Sequence, residues 1–268
     1  MTRSIRWTLL AFLLSAIPAA AQSVVSASPD VTIELGAGVV TADENVAVDN
    51  QLGIVVLENL GAIPETSDAI ALGNDTNGDR LIAFDITTAL AGGVVARPGD
   101  VLRYDGASYS IEFDATAAGI PMGVMTDAVS LLAGQLALSF DTTVDLGGGL
   151  IAADEDLVTW NGSSFSPLFD GSAVGLDPAL DIDAAQHLGG GVFLMSFDTT
   201  GEMGGIVFDD EDVVRFDGVD WTLEFDASAA DSNWAAADLD AVLVPEPTLG
   251  ALLLVGVMGL VGAARYRR

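Results

Sequence analysis

One unit of about 56 residues recurs four times in this chain, and a repeat of that length restricts the folds open to it more than any other feature. A turn-forming triplet, acidic in three of its four copies, gives the count: Asp43-Glu44-Asn45, Pro98-Gly99-Asp100, Asp154-Glu155-Asp156 and Asp210-Glu211-Asp212. Their last residues lie at 45, 100, 156 and 212, steps of 55, 56 and 56. After each triplet come an apolar segment and a turn signal: Asp49-Asn50, Asp105-Gly106, Asn161-Gly162 and Asp217-Gly218. Further markers hold the register, among them Phe84-Asp85, Phe140-Asp141 and Phe197-Asp198, then Phe113-Asp114, Phe169-Asp170 and Phe225-Asp226. An Asp-Ala pair begins at 68, 127, 183 and 240.

Within a unit the hydrophobic pattern has period two, the signature of strands with one buried face. Trp221-Thr222-Leu223-Glu224-Phe225-Asp226 alternates throughout, as does Tyr109-Ser110-Ile111-Glu112-Phe113-Asp114. Asp-Gly and Asn-Gly supply the positive φ that tight hairpins require, which predicts that Val213 to Phe216 pairs with Trp221 to Phe225. Each unit then holds about four strands, one starting at Asp-Ala, one ending at Phe-Asp and the two of the hairpin. An immunoglobulin-type sandwich needs about 100 residues. The unit fits a propeller blade instead, and the expected fold is an all-β, four-bladed β-propeller. A pair of β-sandwich modules, each made from two repeats, is the competing arrangement.

The expected divisions are residues 1–21, 22–243 and 244–268, with repeats at about 31–67, 68–126, 127–182 and 183–243. The first unit has no Asp-Ala strand, whereas the last has one to spare. Asp240-Ala241-Val242-Leu243 is therefore expected to pair beside Val31 to Leu35, closing the ring and covering an open edge.

All 39 acidic residues fall between residues 22 and 247, opposed there only by Arg80, Arg97, Arg103 and Arg215, and lysine is absent. Such a field repels nucleic acid and anionic headgroups and favours capture of divalent cations. Half the residues are hydrophobic, which separates this chain from disordered acidic sequences. With no cysteine, stapling by disulfides and thiolate chemistry are excluded.

Both ends read as addresses. Arg3 and Arg6 precede the apolar run Trp7 to Ile17 and the small residues Ala19, Ala20 and Ala21, the pattern of a secretory signal peptide with cleavage expected between Ala21 and Gln22. At the other end, Val244-Pro245-Glu246-Pro247 is followed by an apolar run at about 249–264, read as a transmembrane helix, and by Arg265-Tyr266-Arg267-Arg268. This tripartite tail resembles the PEP-CTERM sorting signal of Gram-negative bacteria. The resemblance implies an exosortase-type processing enzyme as partner, insertion in the membrane through the C-terminal helix before processing, and a mature protein of the envelope, outer surface or extracellular matrix. It also implies a link to exopolysaccharide and biofilm. The alternatives at the two ends are a retained N-terminal anchor and an ordinary single-pass anchor.

No grouping of residues carries a recognisable catalytic pattern, and the expectation is a noncatalytic protein. The single histidine, His187, occupies a repeat position filled elsewhere by Leu72, Leu131 and Val244, which marks it as a strand residue. Gly147-Gly148-Gly149 and Gly189-Gly190-Gly191 read as turns, without the strand-to-helix context of a phosphate loop.

Calcium is the cofactor these residues can support, because hard cations take clustered oxygen ligands. Asp75, Asn77 and Asp79 place oxygens at alternate positions, although a plain hairpin turn accounts for them as well. The acidic triplets read first as solvated loops. Asp68, Asp127, Asp183 and Asp240, at the starts of the innermost strands, would ring the propeller axis. The aromatic residues beside the turns, Trp160, Trp221, Tyr104 and Tyr109, read as filling between blades, and Trp234, which breaks the pattern, reads as more exposed. The leading expectation is a surface or matrix protein; a calcium-dependent glycan-binding module or adhesin is the alternative, and a polysaccharide-active enzyme the second.

Overall fold

A computed structural model of the chain describes residues 24–36, 38–51 and 53–244. The chain is all-β, and its strands fall into four repeating groups. The first contains β1 (Val25–Pro29), β2 (Ile33–Leu35), β3 (Val39–Thr41), β4 (Ala47–Asp49) and β5 (Val55–Leu57). The second contains β6 (Ala69–Asn74), β7 (Arg80–Phe84), β8 (Thr88–Ala89), β9 (Val95–Ala96), β10 (Val101–Tyr104) and β11 (Tyr109–Phe113). The third runs through β12 (Ala128–Leu132), β13 (Gln135–Ser139), β14 (Val144–Asp145), β15 (Ile151–Ala152), β16 (Leu157–Trp160) and β17 (Phe165–Phe169). The fourth holds β18 (Ile182–Gly189), β19 (Val192–Phe197), β20 (Gly201–Met203), β21 (Ile206–Phe208), β22 (Val213–Phe216) and β23 (Trp221–Phe225), and β24 (Leu239–Leu243) is the last described strand.

Four antiparallel sheets of four strands result: β24-β1-β4-β5, β6-β7-β10-β11, β12-β13-β16-β17 and β18-β19-β22-β23. Four apolar clusters lie at the four junctions between neighbouring sheets, including the junction of the fourth with the first, so the sheets close into a ring like a four-bladed β-propeller. Strands β6, β12, β18 and β24 surround the axis and approach closely. At Gly73 a β-carbon would lie 2.6 Å from the Val129 carbonyl oxygen, so any side chain there would push β6 off β12.

The ring closes through its two ends, but not with the strand expected. Ser26, Ala27 and Ser28 face Leu243, Val242 and Ala241 across an antiparallel ladder. Val31 to Leu35 does not take that place: Ile33–Leu35 pairs with Val39–Thr41 in a small hairpin. A hairpin of this kind stands between the second and third strands of every blade. The reason is visible in register. Asp30 is the first blade's counterpart of Asp85, Asp141 and Asp198, with Pro29 where the others have Phe. The first blade therefore begins at Val25, earlier than residue 31.

The repeated aspartates shape the backbone. At the hairpin turns, Oδ1 of Asp105, Asn161 and Asp217 accepts from the backbone N–H groups two and three residues on, while Gly106, Gly162 and Gly218 take positive φ. Asp114, Asp170 and Asp226 cap single helical turns, α1 (Ala115–Ala118), α2 (Gly171–Val174) and α3 (Ala227–Ala230). Asp100, Asp156 and Asp212 each accept from two backbone N–H groups, one three residues before and one fifteen after. The triplets ending at Asp156 and Asp212 are thus anchored by braces rather than being solvated loops.

Trp234 is a second correction. It is fully buried in the apolar cluster that holds Val25, Leu35 and Phe225 at the junction of the fourth blade with the first. The other aromatics pack as expected. Tyr104 and Tyr109 lie against one another with centroids 4.8 Å apart, Trp160 lies against Phe165 at 4.5 Å and Trp221 against Phe216 at 4.6 Å. Among the described residues, no helix is long and apolar enough to cross a membrane.

Candidate functional site: an acidic mouth on the propeller axis

The four axial strands begin together at one end of the ring, and their first residues form two tiers. In the first tier are Asp68, Met125, Asp181 and Asp238. Their backbone N–H groups donate to Oδ1 of Asp85, Asp141, Asp198 and Asp30, at 2.7, 2.8, 2.9 and 2.7 Å. Two residues further on, the second tier comprises Ile70, Asp127, Asp183 and Asp240. In three of the blades the register shifts at this position, at Ile70, Asp183 and Asp240, leaving an extra residue between paired neighbours. A bulge of this kind re-aims a side chain out of the sheet's alternation.

This arrangement corrects the ring read from the Asp-Ala pairs. Asp127, Asp183 and Asp240 are equivalent, but Asp68 is not their partner: it belongs to the first tier, and Ile70 fills the fourth second-tier place. Spacing carried the signal, since residues 70, 127, 183 and 240 step by 57, 56 and 57, whereas 68 to 127 is 59. Asp181 and Asp238, which sequence reasoning missed, were marked only by their distance from Asp198 and by the unnoticed repeat of Asp30. The same slip moves His187's counterpart in the second blade from Leu72 to Asn74. His187 itself donates its backbone N–H to the Ser130 hydroxyl, and its ring packs on Phe193.

The two tiers enclose a cavity of about 180 Å³, lined by Ile70, Met125, Asp181 and the second-tier carboxyls, together with Asp85 and Asp141. No basic side chain lines it. Asp127 is only 7% exposed. Asp68 Oδ1, Asp127 Oδ2, Asp181 Oδ1 and Asp183 Oδ2 are buried without a hydrogen-bond partner. Burial and like charge act together here. Burial, then Asp181 and Asp141, pushes Asp127 up to about 9. Burial, then Asp238 and Asp240, pushes Asp183 up to about 10. Burial, then Asp68, pushes Asp240 up to about 9, and burial followed by Asp240 raises Asp238 to about 8. Asp68 and Asp181 rise to about 7, again chiefly by burial. The turn and cap residues behave oppositely: backbone donors hold Asp105, Asp170 and Asp217 below the usual carboxylate range. Among the described residues, no three carboxyls already converge as a metal-ligand group.

The other candidate residues lie apart. Asp75, Asn77 and Asp79 form the β6–β7 turn, at the far end of β6 from Asp68, where Asp75 Oδ1 accepts from the N–H groups of Asn77 and Asp79. The Arg103 guanidinium stands 3.6 Å from both carboxylates, supplying the positive charge that a cation would bring. Val244 is the last described residue; Pro245, Glu246 and Pro247, the 249–264 segment, Ala21 and Gln22 lie outside the described residues. Val244 is held at both of its backbone groups by Gln186, whose Nε2 donates to the Val244 carbonyl and whose Oε1 accepts from its N–H, each at 2.7 Å.

No family model and no curated protein matches the chain. Among solved structures it is similar to the extracellular domain of a hybrid two-component system protein from B. thetaiotaomicron (7% identity, 74% of this chain and 33% of that one, TM-score 0.34). It is also similar to YjhT (13%, 67% and 52%, TM-score 0.28) and to YCF48 bound to a D1 peptide (9%, 80% and 85%, TM-score 0.29). The chain spans a third to about half the length of the first two.

Proposed function

We propose that this chain is an exported, exosortase-processed, noncatalytic propeller of the cell surface or extracellular matrix of a Gram-negative bacterium, associated with exopolysaccharide and biofilm. The observation that carries the reading is where the fold ends. The closing strand β24 runs to Leu243, Gln186 pins Val244, and Pro245-Glu246-Pro247 follows at once. All four strands of each sheet precede the motif, so a cut there leaves every described strand in place. The use of the carboxylates supports the noncatalytic part. Those recurring from blade to blade at Asp100, Asp156 and Asp212, and at Asp114, Asp170 and Asp226, are engaged with backbone N–H groups. The test is co-sedimentation of the protein with the producing organism's own extracellular polysaccharide, with calcium and then with chelator. Retention in the polysaccharide pellet supports the reading; absence from it in both conditions overturns the polysaccharide association.

A further inference from the structure

We infer that the axial mouth is a binding site for one divalent cation, calcium by its chemistry, held by the Asp127, Asp183 and Asp240 carboxylates with water completing the shell. The inference stands on the geometry of the ring and is independent of how the chain is sorted. Three equivalent positions on three different blades carry the same residue type. Backbone bulges single out Asp183 and Asp240 on their strands. All three side chains line one cavity.

Asp127 supplies an observation independent of the clustering. It is more than nine-tenths buried, lines the cavity, and leaves Oδ2 without any hydrogen-bond partner. A buried carboxylate oxygen left bare costs more than a typical hydrogen bond returns, and such groups are paired with a donor or a cation. Asp183 Oδ2, across the same cavity, is bare as well. The arginines that could have served are elsewhere: Arg80 is bound to Glu58 and Asn74, and Arg103 stands beside Asp75 and Asp79.

The space selects the ion. At about 30 Å³ per water molecule, the cavity of about 180 Å³ has room for a cation and several waters. A partly hydrated ion does not require the carboxyls to converge beforehand, which agrees with their present separation. Ile70 at the fourth corner gives no ligand, so the coordination is lopsided. Calcium accepts six to eight oxygens in irregular geometry, whereas magnesium demands a near-ideal octahedron, and a three-cornered acidic mouth therefore suits calcium.

The test is isothermal titration of the chelator-treated full chain, in detergent, with calcium chloride and separately with magnesium chloride. The expected result is one calcium per chain, bound at least tenfold more tightly than magnesium, and at least tenfold weaker binding in Asp127→Asn and in Asp183→Asn. Asparagine matches the protonated carboxyl in size and shape, so the variants should fold; their circular dichroism is recorded alongside. The double variant D75N/D79N serves as control and should bind as the parent does. No calcium binding by the parent, affinity unchanged in folded D127N and D183N, or loss of binding in D75N/D79N alone would each overturn the assignment. Equal affinity for magnesium would overturn the choice of ion.

Discussion

Replacing Gln186 by alanine removes the side chain that, among the described residues, holds Val244 at both backbone groups, and its effect can be worked out from the bonds. Gln186 is buried, and its amide makes two hydrogen bonds of 2.7 Å, one to the Val244 carbonyl and one from the Val244 N–H. Each bond contributes about 1 kcal/mol net, and each backbone group left buried and unpaired costs about 1–3 kcal/mol. Water reaching the end of β24 recovers part of that loss, so Gln186→Ala should destabilise by about 2–4 kcal/mol. For a domain of this size each kcal/mol is about 2–4 °C, which places the fall in melting temperature at roughly 5–15 °C. The assay is thermal unfolding by far-ultraviolet circular dichroism, with Gln135→Ala at the exposed first residue of β13 as reference. That reference should stay within about 0.5 kcal/mol of the parent. If Gln186→Ala also stayed within about 0.5 kcal/mol, the Gln186 clamp would not hold the closing strand, and the reasoning would fail.

Other perturbations separate the buried frame from the surface. Trp234→Ala should cost about 3–5 kcal/mol in equilibrium denaturation, since it empties a fully buried indole at the junction of the fourth blade with the first; a loss below 1 kcal/mol would return Trp234 to the surface. Asp212→Ala strips acceptors from the Asp209 and Ala227 N–H groups and should cost about 1.5–3 kcal/mol, read in the same way. In chelator, stability should fall as pH rises. Asp127, Asp183 and Asp240 are raised to about 9, 10 and 9, so the native state keeps protons that the unfolded chain has released above about pH 4. For each net retained proton, urea denaturation should show about 3 kcal/mol less stability at pH 7 than at pH 5. Stability that rose over that interval would contradict the buried carboxyl cluster.

Much of the architecture could be read from the residues because the repeat fixes both strand count and strand spacing. Alternation in Trp221 to Phe225 and the Asp-Gly turns gave the outer hairpins, since one face is buried and the turn needs positive φ. The closing partner was misplaced because Pro29-Asp30 carries the register of Phe84-Asp85 without its aromatic residue. The small hairpin β2–β3 then took up the apolar run of Ile33 to Leu35, which had stood out as a strand. The axial site was half legible. Asp127, Asp183 and Asp240 recur at the right spacing, but Asp68 imitates them two residues early, and a bulge leaves no trace in a period-two pattern. Trp234 misled for a related reason: a residue outside the alternation can still be core when it plugs the junction between two blades.

Closure of the ring by the chain's two ends is the claim on which the axial mouth depends. Hydrogen–deuterium exchange on the full chain measures it directly, because an edge strand left unpaired exchanges its amides rapidly. Backbone amides in residues 25–28 and in Leu239–Leu243 should be protected as strongly as those in the axial strands Ala128–Leu132 and Ile182–Gly189. Exchange in either end segment as fast as in the exposed β14–β15 hairpin tip would show the ring open and contradict the account.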